Sequence, residues 1–209
     1  IHHAFWKFHD PQHPKYQPGS KWESAIKDYY VYVDEEIGKL LEIVDEDTKT
    51  LIVSDHGVKR MDGGICINEW LIKNGYLKLK SRPDKITRLE NKMIDFGQTM
   101  VWGSGGYYAR IFLNVKGREP LGIIPQEDYE KVRDELIEKL ESMTDPDGKN
   151  IGTRAFKPQD VYKVCKNIPP DLIVYLGDLH WRSIGSVGFD SIYTFENDNY
   201  TYGILRSFS

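Results

Sequence analysis

Thr50-Leu51-Ile52-Val53-Ser54-Asp55-His56-Gly57 couples a short β-branched apolar run to an adjacent carboxylate and imidazole. A run of this length, closed by turn-forming residues, predicts a buried strand. Before it, Ile26, Tyr30, Val33, Ile37, Leu40, Leu41 and Val44 recur at three- and four-residue spacing, which predicts an amphipathic helix over 23–45 with Ser20 as its N-cap. Helix followed by strand places Asp55 and His56 at a strand's carboxyl end, where open α/β sheets gather their ligands. Gly57 lets the backbone turn sharply behind them. A hard carboxylate oxygen beside an imidazole nitrogen suits a divalent ion such as Zn or Mn. The same residues also suit a plain strand-to-turn junction in which the aspartate opens an Asx-turn.

Working outward, residues 9–19 are rich in Pro and His and read as a loop, because Asp10-Pro11, His13-Pro14 and Pro18-Gly19 each interrupt helix. A short helix is predicted from Asn68, with Gly75 just past its end, followed by an alternating half-buried strand over 76–80. Strands are expected over 98–102 and 107–115 across the turn Gly103-Ser104-Gly105-Gly106, a second amphipathic helix over 125–143, and strands over 154–157 and 172–176. Strands alternating with helices predict an α/β fold. The stretch 97–157 has the pattern of a small α+β insertion or appended subdomain, which divides the chain into 1–96, 97–157 and 158–209.

The 209 residues are 40% hydrophobic and 12% aromatic, enough for a sizeable core, and 29% charged, giving a strongly hydrated surface. A net charge of only -4 supplies no electrostatic case for a nucleic acid polymer or a membrane surface as partner. No run approaches the roughly 18 apolar residues of a membrane span, and no stretch reads as a signal peptide. The two cysteines, Cys66 and Cys165, have neither zinc-knuckle nor disulfide-framework spacing and read as buried apolar thiols. A reducing compartment follows, so the expected location is cytoplasmic.

Four of the six histidines, His2, His3, His9 and His13, lie within the first thirteen positions. His9 and His13, beside prolines and charges, read as residues of a solvated loop. His2 and His3 adjoin the aromatic block Phe5-Trp6-Phe8 and read as partly buried. The opening residues fall inside a structured stretch, so the chain is expected to be the C-terminal part of a longer protein.

Seven segments together carry a family resemblance: His3-Ala4-Phe5-Trp6, Ser54-Asp55-His56-Gly57, Gly64-Ile65-Cys66-Ile67-Asn68-Glu69-Trp70-Leu71, Gly75-Tyr76-Leu77, Asn114-Val115-Lys116-Gly117-Arg118-Glu119-Pro120, Gly185-Ser186-Val187-Gly188 and Glu196-Asn197-Asp198. In this order the chain resembles the predicted phosphohydrolases and phosphomutases of the type I phosphodiesterase/nucleotide pyrophosphatase group, in the alkaline phosphatase superfamily. The resemblance implies part of an alkaline-phosphatase-like sheet flanked by helices, with two divalent metal ions (Zn or Mn) over its carboxyl edge. It implies Asp55 and His56 as ligands of one ion and His3 as a ligand of the other. The nucleophilic Ser or Thr, an early Asp and the Asp partner of His3 would all precede residue 1, so no catalytic nucleophile is assigned. The family's late histidine has no counterpart near 196–205, and His180, before Trp181-Arg182, does not match it.

The implied activity is metal-dependent hydrolysis of phosphate mono- or diesters, with a phosphorylated small molecule or nucleotide as substrate. Here it is carried by a part that is itself expected to be inactive. Two alternatives stand beside it: a phosphomutase of the same superfamily, and a binding or scaffold domain with a degenerate metal site. Lys116-Gly117-Arg118 reads more readily as a solvated turn than as an anion contact.

Overall fold

The computed structural model describes residues 1–196, which fall into two compact units, Ile1–Asp62 and Gly63–Glu196.

In the first unit, helix α1 (His2–His9) packs against helix α2 (Ala25–Leu41). His2 packs on Tyr30 of α2 at 5.5 Å, and Phe5 meets Trp22, just before α2, edge-on at 5.3 Å. Helix α2 follows the expected periodicity but starts later than Ser20 implied. Its N-cap position is Ser24, whose hydroxyl donates to Asp28 in the first turn at 2.6 Å, where a carboxylate also opposes the helix dipole. In residues 1–62 only His13, Ile26 and Met61 are buried.

The predicted strand at 50–53 is not formed. Leu51, Ile52 and Val53 are 83%, 90% and 77% exposed and have no regular structure. A strand exists only through ladder bonds to a neighbour, and no strand among the described residues pairs with this run. Asp55 and His56 therefore lie on a solvent-exposed bend, not at a sheet edge.

The second unit holds three small sheets. β1 (Gly63–Cys66) runs parallel to β7 (Trp181–Ile184) and antiparallel to β9 (Tyr193–Thr194). β2 (Thr87–Arg88) pairs with β8 (Ser186–Val187). The largest sheet is antiparallel, in the order β3-β4-β6-β5, from β3 (Val101–Ser104), β4 (Ala109–Leu113), β5 (Arg154–Phe156) and β6 (Leu172–Tyr175). The fold is thus mixed α/β, with antiparallel pairing outweighing the one parallel pair. Ala109, Ile111 and Leu113 of β4 point inward while Arg110 is exposed, the alternation expected of a sheet covered on one face. Val132, Leu136 and Leu140 of helix α4 (Tyr129–Glu141) join the same core. Helix α3 (Ile67–Lys73) ends where expected, with Gly75 in the left-handed region at φ 77°. The stretch 76–80 makes only the isolated bridge Leu79↔Ile94, although Tyr76 and Leu77 are buried.

Asp171, just before β6, is a buried carboxylate of this unit. It accepts from the Leu113 amide at 2.6 Å, from both terminal nitrogens of Arg118 at 2.7 and 2.8 Å, and from the Tyr129 hydroxyl at 2.6 Å. Burial, reinforced by the bond to Asp171, pushes the Tyr129 phenol up to about 12. The basic turn at 116–118 is therefore more than a solvated turn: its arginine is a structural clamp on a buried carboxylate.

Candidate metal site

Asp55 and His56 meet. His56 Nε2 lies 3.4 Å from Asp55 Oδ2, while Asp55 Oδ1 accepts from the His56 amide at 3.0 Å. On the other side of the ring, Nδ1 lies 2.9 Å from the Gly57 carbonyl. A carbonyl can only accept, so Nδ1 carries a hydrogen, and Nε2 is the ring nitrogen that faces the carboxylate. The Ser54 hydroxyl donates to the His56 carbonyl at 2.9 Å and closes the bend. Four consecutive residues thus hold a carboxylate oxygen and an imidazole nitrogen side by side without help from a sheet.

This donor pair fits a divalent ion. Two ligands about 2.1 Å from a tetrahedral ion stand about 3.4 Å apart, the separation found here. A carbonyl taking the distal N–H of a ligating imidazole is also the usual way a metal-binding histidine is oriented. Both side chains are accessible, with Asp55 84% exposed. Among the described residues, however, no group of three or more His, Cys, Asp or Glu side chains is arranged to hold a metal. His3 lies in the first turn of α1, partly buried, and does not complete such a group.

The other early histidines have packing roles. His2 Nε2 meets the Tyr30 hydroxyl at 3.1 Å, and burial holds the pKa of this ring below the ordinary histidine range. His9 is exposed and touches Trp6 edge-on. His13 departs from the expected solvated loop, since it is only 5% exposed. Asp10 organises that loop, accepting from the Gln12 amide at 2.9 Å and from the Trp6 indole at 3.2 Å.

The polar residues of the motifs in 63–196 hold loops together. Asn68, fully buried, donates to the carbonyls of Gly103 and Gly185 and accepts from the Gly103 amide. It thereby pins two backbone segments that touch: a Cβ on Gly105 would collide with the Gly185 amide. Glu69, 6% exposed, takes the successive amides of Gly188 and Phe189 at 2.6 and 3.0 Å and pairs with Arg82 at 3.1 Å. Its bonds to backbone amides assign Glu69 to loop geometry. Ser104 closes β3 beside Arg110, whose guanidinium donates to its hydroxyl at 3.0 Å. Cys66 is buried as expected, whereas Cys165 is exposed. Asn197 and Asp198 lie outside the described residues.

Residues 1–200, nearly the whole chain, match the family described as type I phosphodiesterase / nucleotide pyrophosphatase. The chain belongs to this family. Its members are phosphodiesterases and pyrophosphatases, typically metal-dependent, acting on phosphodiesters and nucleotides, and membership implies an alkaline-phosphatase-like fold. No curated protein and no solved structure matches the chain.

Proposed function

We propose that this phosphodiesterase-family chain contributes metal ligands to a hydrolase of phosphate mono- or diesters. Asp55 and His56 bind one divalent ion, Zn or Mn, and His3 is a ligand of a second. The observation that carries this reading is the 3.4 Å convergence of Asp55 Oδ2 and His56 Nε2, with His56 Nδ1 committed to the Gly57 carbonyl. When bound, such a pair of ions polarises phosphoryl oxygens and stabilises the leaving oxygen. Asp55 supplies a negative oxygen and His56 a neutral nitrogen, and neither is a proton carrier. No residue of the chain is assigned the nucleophile, so the chain is a donor of metal ligands and not a complete active site. Its substrate is a phosphorylated small molecule or nucleotide, and its place is the cytoplasm, a location supported by two unpaired cysteines, one of them exposed.

A second reading, a binding domain with a degenerate metal site, is favoured by the lack of a third clustered ligand among the described residues. Titration calorimetry with Mn²⁺ and Zn²⁺ separates the two. Two adjacent donors, where a zinc site normally takes about four ligands, should give weak binding that Asp55→Ala abolishes, with no turnover of bis(p-nitrophenyl) phosphate. Binding that survives Asp55→Ala would move the site elsewhere, and no binding at all would favour the degenerate domain. Turnover lost in Asp55→Ala would overturn the assignment of an incomplete active site.

A further inference from the structure

His13 occupies the position of an Asx-turn residue. Its Nδ1 accepts the amide of Lys15, two residues on, at 2.9 Å, as an Asn or Asp side-chain oxygen would. The ring is 5% exposed, and its Nε2 is buried with no hydrogen-bond partner among the described residues. Because the Lys15 amide can only donate, the neutral ring must carry its hydrogen on Nε2. The backbone closes around this contact: the His13 amide donates to the Asp10 carbonyl, and the Tyr16 amide to the His13 carbonyl, both at 2.9 Å.

We propose that His13 is an acid-sensitive latch: the neutral imidazole closes the loop 10–16 that follows α1, and uptake of one proton opens it. The proton has one place to go, Nδ1, which then carries an N–H pointing at the N–H of Lys15. An acceptor is replaced by a donor, and two donors face each other beside the buried His13. The charged groups that face the ring are Asp10, Asp62, Lys15 and Arg60. Their effects oppose one another, since the two carboxylates favour the imidazolium and the two cations disfavour it. Both carboxylates already have partners: Asp10 takes the Gln12 amide and the Trp6 indole, and Asp62 takes Arg60 Nε at 2.7 Å. Arg60 also donates to the Gln12 side-chain oxygen at 2.6 Å, tying the loop to 60–62. Burial is the largest influence and lowers the pKa of the ring. The sign follows: the folded chain holds this proton less tightly than the unfolded chain, so the loop is fully latched above the ordinary histidine value. It loosens as pH falls below that value toward the depressed one.

His13→Asn tests the latch, because the amide oxygen sits the same number of bonds from the backbone as Nδ1, can accept the Lys15 amide, and takes up no proton. Hydrogen exchange of the amides in 10–17, corrected for the intrinsic pH dependence of exchange, is followed from about pH 7.5 to about pH 5.5. The wild type should open by about tenfold over this interval as the bond from the Lys15 amide to the His13 ring is lost, and His13→Asn should stay flat. An equal rise in the variant, or no rise in the wild type, would overturn the proposal. If His13→Asn does not fold, the ¹⁵N signature of the wild-type ring decides. Nδ1 should be unprotonated and hydrogen-bonded at the higher pH, and a hydrogen found on Nδ1 there would sink the idea.

Discussion

Leu51 and Leu136 are the same side chain in two settings. The first is 83% exposed in Ile1–Asp62 and the second is fully buried in Gly63–Glu196. Both units carry helix-period apolar patterns, yet Tyr30, Ile37, Leu40 and Leu41 of α2 are exposed while Val132, Leu136 and Leu140 of α4 are not. Pattern therefore predicts which face of an element is apolar, and burial depends on whether another element covers that face. The candidate chemistry follows the same division. In 63–196 the buried polar residues Asn68, Glu69 and Asp171 are spent on backbone amides, carbonyls and arginines. In 1–62 the Asp55–His56 pair lies on an exposed bend that the Ser54 hydroxyl closes.

The sharpest test of this division is Asp171→Ala. It removes the acceptor of two Arg118 bonds, the Tyr129 hydroxyl and the Leu113 amide, while Arg118 keeps Glu119 and the Leu113 carbonyl. Losing four hydrogen bonds to one buried carboxylate costs about 4 kcal/mol, and urea unfolding should show it. The Tyr129 phenol should also titrate lower than in the parent, since the bond to Asp171 and its negative charge, which add to burial in raising it, are both gone. A loss under about 1 kcal/mol would mean that the cluster behaves as a surface ion pair, and the contrast between the units would weaken.

A matched pair of truncations comes next. Leu136→Ala should cost about 3 kcal/mol, from lost burial and the cavity left behind. Leu51→Ala should change stability by less than about 0.5 kcal/mol. Equal costs would show that the exposed run at 51–53 is covered in solution and would erase the comparison.

The contrast also explains what the sequence reveals. Helices α2, α3 and α4 and strands β4 and β6 were legible because each carries its own period or turn punctuation: Gly75 after α3, Pro169-Pro170 before β6. β1 was not, because it opens with Gly63-Gly64, residues of low strand propensity. What makes it a strand is Trp181, packed where a Cβ on Gly63 would fall, together with its ladders to β7 and β9. The run at 50–53 failed in the opposite sense, having strong local propensity and no partner strand among the described residues. At the candidate site, adjacency in sequence keeps Asp55 and His56 close along the chain, and the bend at 54–57 turns their side chains together. The burial of His13 had no local signal, since it depends on contacts among 10–16 and 60–62. The clamp of Arg118 on Asp171 joins residues far apart in the chain and was invisible for the same reason.

Cys66, in the first strand of the second unit, shows how abruptly packing begins at the boundary. Its thiol is fully buried, and burial first, then the negative charge of Glu69, pushes its pKa up to about 12. A thiol with a raised pKa is held neutral by the fold, so its contribution to stability is present below the unfolded value and lost as pH climbs from about 9 to about 12. Only the thiolate is alkylated. Iodoacetamide at mildly alkaline pH should therefore modify exposed Cys165 readily and Cys66 about a thousandfold more slowly, with the difference vanishing in denaturant. Comparable rates in the native protein would place β1 in frequent open excursions. Packing would then rise gradually across the boundary, instead of setting in at the first strand.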